Sequence, residues 1–132
     1  MTDMVRPNGL VFTPDKRLSY VLDTAAFNIP GGPHHIRVYE FVGNRYVKNG
    51  RVFAVIEPGK LDELRVDEYG NVFTSSQDSV QIYATDETYL GKIFVPEISA
   101  NLIFSGKNRE SLLITAGHCL YALDLNIRGV QL

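Results

Sequence analysis

Three segments of this 132-residue chain open on a side-chain oxygen and then follow one pattern. They start at Asn8, Asp62 and Asn101, 54 and 39 residues apart. Each continues into an apolar strand, a polar turn rich in Asp, Lys or Gly, and a second apolar strand. Carboxamide and carboxylate oxygens without thiolates suit a hard cation such as calcium or magnesium. A carboxylate beside such a cation also serves as a general base on water, while the cation polarises a carbonyl. The same residue types have a plainer use, because Asn and Asp cap turns at strand ends. Spacing alone leaves both uses open.

Other residues offer weaker chemistry. His34 and His35 lie in a Gly-Gly-Pro-His-His loop, where a pair of imidazoles binds a transition metal, shuttles protons or simply packs the loop. His118 and Cys119 are adjacent. On a strand their side chains point to opposite faces, which argues against a Cys–His nucleophile and for Cys119 as a small buried apolar residue. The run from Asp67 to Asn71 lacks the glycine-centred spacing of an EF-hand and reads as a hairpin turn.

The elements that would position these residues are short strands. Glycine (11) and proline (6) punctuate the chain throughout. Between them lie eleven β-rich stretches: 10–12, 18–22, 36–41, 51–56, 64–66, 71–74, 80–84, 91–95, 102–104, 112–115 and 120–125. Several alternate apolar and polar residues, as in Arg37 to Phe41, and no window carries a helical period for three turns. The chain therefore reads as all-β. Repeat starts 54 and 39 residues apart bracket the roughly 40–50 residues of a propeller blade. Three four-stranded blades need about twelve strands, and three blades cannot close a ring. The pattern predicts half of a six-bladed ring, in which the first strand of each blade lines a central channel.

Composition narrows the function. Apolar residues make up 45% and charged residues 21%, values of a globular domain. The net charge of −2 and the lack of a basic block argue against nucleic acid. One cysteine excludes an internal disulfide and a Cys-based zinc site. Apolar runs are far shorter than the roughly 18 residues that span a bilayer, so no membrane partner is expected. The segment MTDMVRPNG shows no signal peptide, which points to the cytoplasm.

The order of motifs resembles a known family. Pro7-Asn8-Gly9-Leu10, Phe12 to Asp15, Tyr20 to Thr24, Gly32 to Ile36, Arg51 to Phe53, Leu61-Asp62, Arg65 to Val72, Leu90 to Ile93, Ala100 to Leu102 with Phe104, Ile114 to Ala116 and Leu120-Tyr121 are similar to the back half of the gluconolactonase/regucalcin (senescence-marker-protein) lactonases. The resemblance covers about three of six blades, so residues 1–132 are expected to form the C-terminal half of such a propeller. It implies hydrolysis of a sugar lactone or related cyclic ester with one divalent cation, calcium first, zinc or magnesium as alternatives. It implies that Asn8 and Asp62 are metal ligands and that Asp62 is the general base. Asp23 and Asn101 are implied second-layer or channel residues, and His34 and His35 contacts to the substrate. The family's third ligand, a Glu of its first blade, and its substrate-contacting residues precede the matched region. A second copy or a missing N-terminal half is therefore expected to complete the ring. Two departures stand out: Glu63 replaces the glycine after the catalytic Asp, and Ser105 precedes Gly106 where the family pairs glycines. An inactive fragment or a non-catalytic propeller scaffold is the alternative these departures raise.

Overall fold

The computed structural model describes residues 3–130. Eleven strands form three antiparallel sheets, each a simple meander in chain order. The first sheet holds β1 (Pro7–Phe12), β2 (Leu18–Asp23), β3 (His35–Val42) and β4 (Tyr46–Val55). The second holds β5 (Leu64–Val66), β6 (Val72–Ser75), β7 (Ser79–Tyr83) and β8 (Tyr89–Phe94). The third holds β9 (Ser99–Ser105), β10 (Ser111–Ala116) and β11 (Cys119–Asp124), three strands rather than four among the described residues. Each of the eleven expected strands is present. One 3-10 turn at Ala25–Phe27 follows β2, too short to leave a periodic trace in the sequence.

Local chemistry explains the hairpins. The Asp67 carboxylate accepts from the backbone N–H of Tyr69 (2.9 Å) and Asn71 (2.8 Å) and from the Asn71 amide (2.8 Å). This is the turn expected there, built around a buried Asx residue. Between β1 and β2, Asp15 accepts from the Thr13 hydroxyl at 2.6 Å and from the Arg17 N–H at 3.0 Å.

The sheets stack side by side, with β1 against β5 and both β5 and β6 against β9. Two apolar layers join them. Val11, Tyr20, Leu22, Ile36, Val38, Phe53, Leu64 and Val72 belong to the layer between the first and second sheets. Phe73, Val80, Leu102, Phe104, Leu112 and Ile114 belong to the layer between the second and third. Val72 and Phe73 are neighbours on β6 and enter opposite layers, as the two-residue period of a strand requires. Edge-on ring contacts, Phe53–Tyr83 at 6.3 Å between the first and second sheets and Phe73–Phe104 at 5.2 Å between the second and third, tie neighbouring sheets together. The first strands of the three sheets thus lie next to one another, which places their leading ends in one neighbourhood.

Candidate functional site

The leading end of β1 is irregular. Pro7 pairs with Asp23 and Leu10 with Val21, so Asn8 and Gly9 together oppose Leu22. That is a β-bulge, which re-aims a side chain out of the regular ladder. Gly9 allows close approach: a Cβ there would sit 3.0 Å from Glu63 Oε1 and 3.2 Å from Leu64 Cδ2, so those side chains would have to give way. The bulged Asn8 reaches across to the next sheet. Its Nδ2 donates to Asp62 Oδ1 at 3.2 Å and to the Asp62 carbonyl at 3.4 Å.

Asp62 stands two residues before β5, and its backbone is fixed from β6. The hydroxyl of the fully buried Ser75 accepts from the N–H groups of both Asp62 and Glu63, each at 3.0 Å. The Ser75 N–H donates in turn to the Glu63 carbonyl at 3.0 Å. Ser75 is a positioning residue that no sequence motif marks. Asp62 and Asn8 line a cavity of about 330 Å³ with Arg6, Pro7, Thr24, Phe27 and Asn28.

Asp23 lies behind this wall. It is 1% exposed, and its carboxylate accepts from the Val5 N–H (2.7 Å) and the Arg6 N–H (2.9 Å). It therefore holds the segment that leads into Asn8 and does not line the cavity. Glu63 is turned aside by Arg65, whose guanidinium lies 2.6 Å from its carboxylate. The Leu64 N–H also donates to it at 2.9 Å.

The remaining expected site residues lie elsewhere. Asn101 sits within β9 opposite Thr115, whose hydroxyl accepts from its N–H at 3.1 Å. It lines a different cavity of about 290 Å³, among Arg65, Leu102, Ile103, Leu113, Thr115 and Leu120. His34 shares a 2.6 Å contact with Glu57 through Nε2, and its ring fills the space beside Gly59. His35 opens β3 beside Asp23, and burial lowers its pKa below the ordinary value. Neither histidine lines the Asn8–Asp62 cavity. Cys119 is exposed on β11, contrary to the expectation of a buried residue, because β11 is the outer strand of its sheet. Its thiol and the His118 N–H both point to Glu97, at 3.7 and 2.9 Å.

The donor set at the cavity fits a hard cation: one carboxamide and one carboxylate, meeting without any thiolate or imidazole. It is a partial set. Among the described residues no group of three or more His, Cys, Asp or Glu side chains is placed to hold a metal ion.

A sequence model of the SMP-30/Gluconolactonase/LRE-like region matches residues 1–118. The lactonohydrolase oryH of Aspergillus oryzae is 28% identical over 144 residues, covering 96% of this chain and 31% of that protein. Among solved structures, a gluconolactonase of Xanthomonas campestris superposes with a TM-score of 0.83 at 33% identity, over 95% of this chain and 40% of that one. A calcium-binding protein of Agrobacterium tumefaciens, regucalcin, superposes with a TM-score of 0.80 at 19% identity, over 97% and 48%. The chain thus spans less than half the length of the relatives it matches. Its three stacked meanders are blades of their propeller fold, and the chain belongs to the SMP-30/gluconolactonase/LRE-like family.

Proposed function

We propose that this chain forms the back half of a lactonase propeller that opens a sugar lactone or related cyclic ester. The observation that carries this reading is the convergence of Asn8 and Asp62, from two sheets, on one cavity. Asn8 and Asp62 would hold a divalent cation through their side-chain oxygens, with calcium the first choice and magnesium or zinc the alternatives. Such a cation, when bound, supplies Lewis-acid polarisation of the ester carbonyl. The Asp62 carboxylate accepts a proton from the attacking water as the water oxygen bonds to the carbonyl carbon. The bond from that carbon to the ring oxygen then breaks, and the ring oxygen leaves as an alcohol with the proton returned from Asp62. Asn8 and Ser75 hold Asp62 in place for both transfers.

Two oxygen donors are fewer than a hard cation takes. Further blades, from a longer parent chain or a second copy, therefore supply the rest of the coordination and close the ring. The lactone is a small-molecule substrate, and neither nucleic acid nor membrane enters the scheme. No helix among the described residues is long and apolar enough to cross a membrane. The test is lactone ring opening followed by proton release, with and without added calcium and with Asp62→Asn. Hydrolysis that needs the cation and is lost in the variant supports the assignment. Hydrolysis indifferent to both sinks it.

A further inference from the structure

The Asn8–Asp62 cavity has a second polar end. Arg6 lines it, and its backbone is clamped on both sides. Its N–H donates to the buried Asp23 carboxylate, while its carbonyl accepts from the Thr24 N–H at 3.0 Å and the Thr24 hydroxyl at 3.4 Å. Asp23 is thereby engaged with the main chain and makes no ion pair with the Arg6 guanidinium. Arg17, Arg37, Arg51, Arg65 and Arg128 each face a carboxylate. Arg6 faces none among the described residues. Asp62, the one carboxylate on the cavity wall, is taken up by the Asn8 amide.

Asn28 completes this end. With its amide nitrogen donating to the Phe27 carbonyl at 3.1 Å, its oxygen accepts from an Arg6 amino group. That contact engages one amino group of the guanidinium of Arg6, a residue of the cavity wall. A fork of N–H donors held in this way matches a carboxylate, which it binds through two parallel hydrogen bonds. Phe27 adds an apolar wall to the same cavity.

We propose that Arg6, oriented by Asn28, is a specificity-determining residue that binds a carboxylate substituent of the ring ester. The substrate is then a lactone that carries a free carboxylate, with its ester carbonyl at Asn8–Asp62. This assignment rests on the lactonase reading for the ester end of the cavity. Its experiment is built so that the two fail separately.

Titration calorimetry of the full chain in the Asp62→Asn background compares two probes, a glucarolactone bearing a carboxylate and the neutral gluconolactone. A single charge-assisted fork corresponds to at least about a tenfold preference for the charged ring. In Arg6→Gln/Asp62→Asn that ratio falls to about one, and in Arg6→Lys/Asp62→Asn, which keeps the charge without the fork, it falls between. Circular dichroism checks that each variant folds. A ratio near one with Arg6 present, or a ratio unchanged by Arg6→Gln, overturns the proposal. Hydrolysis of both lactones by the unmodified chain is measured alongside. Its absence, with the Arg6-dependent ratio intact, strikes the lactonase reading and leaves the carboxylate site standing.

Discussion

The start of β1 and the start of β9 carry the same sequence signal and have different fates. Each strand leads its sheet, each begins near an Asn, and each is irregular at that point. In β1 the bulge falls on Asn8 and Gly9 themselves, so Asn8 leaves the ladder and meets Asp62. In β9 the extra residue is Ala100, because Asn101 pairs with Thr115 and Ser99 with Ala116. Asn101 thus stays in register and borders an apolar cavity with Ile103, Leu113 and Leu120. A displacement of the bulge by one residue separates a candidate ligand from a ladder residue. Equivalence within a repeat is therefore a weaker guide than the irregularity of the strand.

The largest expected difference between the two regions is catalytic. Asp62→Asn lowers lactone hydrolysis by about 10²–10⁴-fold, the usual range for loss of a general base, whereas Asn101→Ala changes it by less than about twofold. Equal losses in a hydrolysis assay would mean that both asparagine-led strands serve one site, and the comparison would collapse.

Stability gives the next contrast, on neighbouring residues of β9. Leu102 is 1% exposed in the layer against the second sheet, while Ile103 is 52% exposed on the outward face. Leu102→Ala costs about 2–5 kcal/mol through lost contacts and a cavity. Ile103→Thr stays within about 0.5 kcal/mol. Urea denaturation reads both, and a large cost for Ile103→Thr would show that another element covers the outward face.

Asp23 sharpens the β1 side. Asp23→Ala leaves the N–H groups of Val5 and Arg6 without their acceptor, at a cost of about 1–3 kcal/mol. The same variant loosens the segment that aims Asn8, so cation-dependent activity falls by more than the loss of folded protein explains. Activity that tracks the folded fraction alone would reduce Asp23 to a structural role.

The smallest effect is a pH dependence. Burial lowers the His35 pKa below its ordinary value of 6.5, so the folded state resists protonation while the unfolded chain accepts it. Stability is complete above about pH 6.5 and declines as pH falls through the folded-state pKa. Asp15, held low first by the Thr13 hydroxyl and then by the Arg17 N–H, contributes stability that is present above the ordinary carboxylate pKa and is lost only as pH falls below it. The denaturation midpoint therefore drops modestly between pH 7 and 5.5, and His35→Gln flattens that limb without touching the one near pH 4. A limb unchanged in His35→Gln assigns it to another group.

The fold was legible because its signals are local. Alternation along β3, turn residues at Asp15 and Asp67, and glycine spacing each act within a few residues. The 3-10 turn at Ala25–Phe27 was missed for the same reason, since three residues carry no period. The site was legible only in part. Asn8 and Asp62 announced themselves by type and by the repeat. Ser75, which fixes Asp62 from β6, has no such signature, because a serine at the end of a buried strand is ordinary until its hydroxyl is seen to take two N–H donors. Glu63 illustrates the converse. In the sequence it stands only as a departure from the glycine of the resembled family, and in the structure Arg65 takes up its carboxylate on β5.

Sequence alone determined the all-β class, the eleven strands and their grouping into blade-like units. Strand formation follows from alternation and turn chemistry, which the chain carries residue by residue. Tertiary structure decided which oxygens share a cavity. Asn8 and Asp62 are 54 residues apart. Their meeting depends on a bulge, on a glycine thin enough to let β1 approach Glu63, and on the apolar layer that presses the first sheet against the second. Those are non-local packing outcomes, and no short window of sequence contains them.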